Sequence, residues 1–156
     1  MRLVIDTREQ TPLDFSSWPD VTVEVGTLNA GDYSLRGLED RFALERKSLP
    51  DLMSSLTTGR ERLTRELERL RGYELAALIV EGTLEQVARH EYRSKAAPES
   101  VLQTLAAWHV RYGVPTLWAG SPAGAAYMVR ALARWYLLDA RKRLDSIIKA
   151  HGEQAA

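Results

Sequence analysis

The chain of 156 residues is 45% hydrophobic and 27% charged, and its 21 basic and 21 acidic residues cancel to a formal net charge of zero. That profile fits one soluble globular domain with its own core, and the even balance argues against a nonspecific nucleic-acid coat, which needs a basic excess. The absence of cysteine excludes disulfides, thiolate zinc sites and a cysteine nucleophile.

In chain order, Arg2 to Asp6 (RLVID) is an apolar, β-branched run that reads as a strand. Val21 to Thr27 alternates with period two, with valines at 21, 23 and 25, and reads as a half-buried strand. Asp32 to Leu35 and Arg41 to Lys47 are two further strands, joined by a hairpin-like turn holding Gly37. From Leu49 to Leu56 the spacing becomes helical, with Leu49, Leu52, Met53 and Leu56 on one face, Ser48 as N-cap, and Pro50 and Asp51 in the first turn. Glu61 onward repeats Leu63, Leu67 and Leu70 at helical spacing and ends at Gly72. Ala76 to Val80 is a continuous apolar run, as in a strand covered on both faces. A short helix over Thr83 to Glu91 follows, then a helix from Pro98 to Tyr112 with Val101, Leu102, Leu105 and Trp108 inward. Val114 to Trp118 is a last short strand, and a long helix occupies about 122–149. The order predicts an α/β fold with a mixed central sheet flanked by helices, as one domain over 1–156 with residues 152–156 frayed.

No apolar run reaches the roughly 18 residues of a membrane span. The opening MRLVIDTRE turns charged too early for a secretion signal. A cytoplasmic or nucleoid-associated location is expected. There is no G-x-x-x-x-G-K-[ST] loop, so no nucleotide cofactor is expected.

The chemistry concentrates in GDYSLRGLEDRFALERKSLPD, residues 31–51. Strand alternation puts Glu45 and Lys47 on one face and Arg46 on the other. A hairpin can bring Asp32 beside Glu45. Two close carboxylates repel, and a hard divalent cation resolves that repulsion. A cation there would acidify a water and stabilise charge on a phosphate, with Lys47 holding the water. Glu-x-Lys alone is most often a cross-strand ion pair; the added Gly-Asp and the consecutive Glu-Arg-Lys with Asp51 four residues on make the stretch distinctive.

Asp6-Thr7-Arg8-Glu9, Gly31-Asp32-Tyr33 and Glu45-Arg46-Lys47-Ser48 with Asp51 resemble the nuclease domain of the XPF-type structure-specific endonucleases. The family pattern is Gly-Asp, a spacer, Glu-Arg-Lys, three residues, Asp, and the chain matches every motif position; Gly59-Arg60 and Ile79-Val80-Glu81 are also similar. The resemblance spans roughly residues 2–137. It implies a restriction-endonuclease-like fold and Mg2+- or Mn2+-dependent DNA cleavage. Asp32 and Glu45 are then metal ligands and Lys47 the water-orienting base. Arg46 and Asp51 are implied supports that a mutual ion pair would join, Asp6 and Arg8 lie near the scissile phosphate, and Arg60 contacts DNA. No tandem helix-hairpin-helix pattern follows the last helix, so branched or flap selectivity is open. The expectation is a repair or recombination nuclease, of phage or mobile-element kind or one that borrows DNA binding from a separate partner. Its rivals are a catalytically silent DNA-binding subunit and a nuclease acting on plain duplex, single strands or RNA.

Other features carry competing readings. Arg62, Arg65 and Arg69 read as a salt-bridged helix face. Arg130, Arg134, Arg141, Lys142 and Arg143 offer a basic stripe. Glu81 either completes the metal cluster or caps the following helix. Trp18 is either packing or surface. Trp108, Trp118, Trp135 and Tyr136 have core spacing, and His90 and His109 lack a ligand partner at metal spacing. Apolar residues on more than one stripe of the Met128–Ile148 helix suggest a homodimer.

Overall fold

The computed structural model describes residues 1–152; the expected fraying of the terminal residues falls, beyond Gly152, outside the described residues. Six strands form one mixed sheet in the order β2-β1-β3-β4-β5-β6. They are β1 (Arg2–Asp6), β2 (Thr22–Gly26), β3 (Tyr33–Leu35), β4 (Phe42–Ser48), β5 (Leu75–Glu81) and β6 (Thr116–Trp118). β3 pairs antiparallel with β1 and with β4, whereas β1 with β2, β4 with β5, and β5 with β6 are parallel. The helices are α1 (Leu49–Leu56), α2 (Arg60–Leu70), α3 (Leu84–Ala88), α4 (Pro98–Tyr112) and α5 (Pro122–His151). None is long and apolar enough to cross a membrane.

Period-two alternation splits the core between the two faces of the sheet. Ala43, Leu78 and Val80 point to one face, where Leu52, Met53, Leu63, Leu67, Leu70, Val101, Leu105 and Trp108 of α1, α2 and α4 cover them. Leu3, Ile5, Tyr33, Leu35, Phe42, Leu44, Ala77 and Ile79 point to the other, beneath α5 and the segment holding Leu13 and Phe15. The apolar stripes expected on α1 and α2 are all buried. Ser48 caps α1 by accepting from the Asp51 amide.

Two packing expectations are corrected. β2 is an edge strand, and Val23 and Val25 are 43% and 70% exposed, because neither helical layer reaches them. On α5 the buried face is Ala125, Ala126, Val129, Ala133 and Tyr136, not Trp135, which is 62% exposed. Small alanines let the helix backbone approach the sheet closely, and the adjacent indole is carried outside the contact. The far turns of α5 run past the sheet, leaving Leu144, Ile147 and Ile148 exposed.

Candidate active site

β4 builds the centre of the site. Its alternation sends Glu45 and Lys47 toward α1 and α2, where Lys47 Nζ donates to Glu45 Oε1 at 2.8 Å. Both side chains are buried. Antiparallel pairing delivers Asp32: its amide donates to Leu44 O at 2.8 Å, and its Oδ2 accepts from the Arg46 amide at 2.8 Å. The turn before it depends on Gly31, whose φ is +73° and whose missing Cβ would lie 3.0 Å from Leu44 O. Asp32, Glu45 and Lys47 thus share a cleft of about 910 Å³, with Arg8, Glu9 and Asp51 on its margins.

The electrostatics follow from the geometry. Burial first, then the charge of Glu45, pushes the Asp32 carboxyl up to about 7. Burial also raises Glu45, against the opposing pull of Lys47. Surplus negative potential around an all-oxygen donor pair is what a hard divalent cation neutralises. Among the described residues no group of three or more His, Asp or Glu is arranged to hold a metal. The protein's own donors would therefore be Asp32 and Glu45, with water and phosphate oxygens completing the shell, as is usual for Mg2+.

Asp6 lies at one remove from this centre. It is 2% exposed, and its oxygens accept from the Arg8 amide at 2.8 Å, Arg8 Nε at 2.6 Å, Arg8 Nη2 at 3.2 Å and the Leu28 amide at 2.7 Å. Burial alone would raise its pKa; the hydrogen bonds from Arg8 and the two backbone amides outweigh that and hold it below the usual carboxylate value. Asp6 aims Arg8 into the cleft and does not face it.

The expected Arg46–Asp51 pair does not form. Arg46 points through the other face of β4, to Glu81 at 2.6 Å, Glu9 at 3.4 Å and Thr11 O at 2.9 Å. Asp51 accepts instead from Ser48 Oγ at 2.6 Å. Both readings of Glu81 are thereby replaced. It anchors Arg46, and Thr83 caps α3 in a reciprocal box with Gln86. Arg60 lies off the cleft, its guanidinium 5.9 Å from the Trp108 ring centroid. The cleft wall carries Arg62, Glu66 and Arg69 instead.

The sequence reading placed Arg62 and Arg69 on a salt-bridged helix face, as the Arg69–Glu66 pair in part shows, and did not set these three residues at the cleft, although a signal was present. They repeat at i, i+4 and i+7 directly beside the Leu63, Leu67 and Leu70 stripe. A polar stripe flanking a buried one borders the core and can line a cleft. On α5, Arg130 is tied to Asp20 at 2.8 Å and Arg143 to Glu74, so the basic stripe is partly consumed. Trp18 packs against Phe15 and under the Arg130 guanidinium. The His90 ring nitrogen contacts Ser94 O at 2.8 Å, which accounts for it structurally.

A mixed sheet flanked by helices, with an acid just before one strand and Glu-x-Lys on the next, defines a nuclease-type domain of the restriction-endonuclease-like kind. The ERCC4 domain matches residues 5–132, and the chain belongs to the ERCC4-domain family. Its structure is similar to XPF from Aeropyrum pernix, with a TM-score of 0.71 and 30% identity over 87% of this chain and 61% of that one. A second solved structure, XPF from Aeropyrum pernix in complex with DNA, gives a TM-score of 0.71 and 32% identity over 88% of this chain and 66% of that one. The chain therefore spans less than two thirds of those XPF chains. The comparison with curated proteins gave no match.

Proposed function

We propose that the chain is a DNA endonuclease that hydrolyses phosphodiester bonds with Mg2+ or Mn2+. The observation that carries this reading is the convergence of Asp32, Glu45 and Lys47 at one open cleft. Asp32 and Glu45 would hold the cation, which supplies Lewis-acid polarisation of a phosphate oxygen and acidification of a water. Lys47 spends one of its three donors on Glu45, leaving two to orient the attacking water or neutralise the phosphate. Arg8 and Arg62, which line the cleft from different elements, would contact backbone phosphates. Arg46 and Asp51 hold the frame around these groups.

The likeness to XPF, one copy of which is solved in complex with DNA, supports DNA as substrate and, by extension, branched or flap forms. The silent-subunit reading is disfavoured because both acids and the lysine stand in place. A homodimer or a separate DNA-binding partner belongs to the same proposal; the exposed Trp135, Leu144 and Ile147 on α5 support it. A cytoplasmic or nucleoid-associated setting, a role in repair or recombination, and a phage or mobile-element origin are also part of the proposal and rest on the sequence alone.

The test is cleavage of labelled single-strand, duplex, flap, fork and splayed-arm DNA with Mg2+, Mn2+ or EDTA. Metal-dependent cutting of at least one form is expected. No cutting of any form, with DNA binding retained, would turn the reading toward a subunit.

A further inference from the structure

Glu66 reaches from α2 across the cleft to the turn that carries Asp32. Its Oε1 accepts from the Gly31 amide at 2.9 Å. Its Oε2 accepts from Arg69 Nη1 at 2.9 Å. The side chain is 17% exposed, and Gly31 itself is buried. A buried amide needs an acceptor, and this one finds it on a separate element rather than in the sheet ladder. On its β4 side the Gly31-Asp32 step packs against the Leu44 backbone so closely that a Cβ at Gly31 would lie 3.0 Å from Leu44 O. From α2 it is held by Glu66. The remaining ties of Asp32 are along the sheet: its amide to Leu44 O, the Arg46 amide to its Oδ2, and its carbonyl accepting from the Asp6 amide at 2.9 Å.

We propose that Glu66 is a positioning residue, clamping the Gly31 amide so that the Asp32 carboxylate is presented beside Glu45. This rests on the nuclease reading above. Each Glu66 oxygen accepts one hydrogen bond, from Gly31 and from Arg69, and the role proposed for it is exerted through Asp32. An outer group of this kind typically costs about 10–100-fold in metal affinity or activity when removed.

The experiment compares wild type, Glu66→Ala and Glu66→Gln in three readouts: DNA cleavage, Mn2+ half-saturation, and exchange protection of the Gly31 amide proton by NMR. Glutamine keeps an acceptor oxygen of the same reach. Glu66→Ala is expected to lose roughly 10–100-fold in rate with weaker Mn2+ binding and to expose the Gly31 amide. Glu66→Gln is expected to restore most of all three. Equal loss in both variants would make the carboxylate charge itself the working group and overturn the proposal. An unchanged rate in Glu66→Ala, with or without a change at the Gly31 amide, would overturn it too. Should wild type neither cut DNA nor bind Mn2+, the nuclease reading fails separately, and an unaltered Gly31 amide in Glu66→Ala still refutes the clamp.

Discussion

Asp6 and Asp32 sit on neighbouring chain segments, joined by a backbone hydrogen bond of 2.9 Å, yet their carboxyls are driven in opposite directions. Asp6 is the more completely enclosed of the two, with four donors directed at it, and it lies below the usual carboxylate value. Asp32 receives a hydrogen bond from the Arg46 amide, faces Glu45, and is pushed up to about 7. Burial raises both; what differs is the supply of donors and the sign of the neighbouring charge, Arg8 beside Asp6 and Glu45 beside Asp32. Asp6 is paired as a structural acid is paired, whereas Asp32 is short of donors and its charged form is disfavoured, the state that the cation of the proposed reading would reverse. The same contrast runs through β4, where Arg46 is partnered by Glu81, Glu9 and Thr11 on one face while, among the described residues, the Glu45 and Lys47 side chains pair only with each other on the second.

Substitution should separate the two acids most sharply. Asp32→Ala is expected to reduce cleavage by on the order of 10³-fold, the equivalent of several kcal/mol of transition-state stabilisation, without lowering the melting temperature. Asp6→Ala should do the reverse first. Removing it leaves the Leu28 and Arg8 amides and the Arg8 guanidinium without their acceptor, for a loss of about 2–4 kcal/mol in denaturant unfolding. If Asp6→Ala were neutral in stability and inactive, Asp6 would belong to the reacting centre.

Arg46→Met tests the partnered face of β4. It strands Glu81 and Glu9, whose side chains are 7% and 10% exposed. A destabilisation of about 3–5 kcal/mol is expected for a broken buried pair, with thermal melting as the check.

The pH dependences should also oppose each other. Asp32 has a raised folded-state pKa, so its contribution favours the folded metal-free protein at low pH and is lost as pH rises from the ordinary carboxylate range through about 7. Asp6 has a lowered one, so its contribution is present above the ordinary carboxylate value and is lost as pH falls below it. On the proposed reading, a cation bound at Asp32 would displace its proton. The Mn2+-induced rise in melting temperature should therefore grow between pH 6 and 8, within the window around the folded pKa of about 7. A shift independent of pH over that window would mean that Asp32 is not the ligand.

The smallest expected effect concerns the arginines. Arg62→Ala should weaken DNA binding and flatten its salt dependence by about one phosphate contact, while Arg60→Ala, off the cleft, should leave cleavage unchanged. The reverse ranking would restore Arg60 as the contact.

Much of this arrangement is legible in the sequence because it rests on local periodicity. Alternation along β4 puts Glu45 and Lys47 together, a short antiparallel return brings Asp32 back, and leucine stripes orient α1 and α2. What escapes is set by tertiary packing. Nothing local says that Arg46 will meet Glu81, which lies 35 residues on, rather than the nearby Asp51 in the first turn of α1. Val23 and Val25 alternate as a half-buried strand would, but strand order, which local pattern does not encode, leaves them at the sheet edge. The alanines of α5 similarly outrank its tryptophan for the core because close approach to the sheet favours small side chains.

The most direct test of the central claim is Mn2+ binding by wild type, Asp32→Ala and Glu45→Gln, followed by titration calorimetry at pH 8 in the absence of DNA. Saturable binding in the wild type that is lost in both variants is the predicted result. Binding that survives both substitutions would place the cation elsewhere and contradict the account.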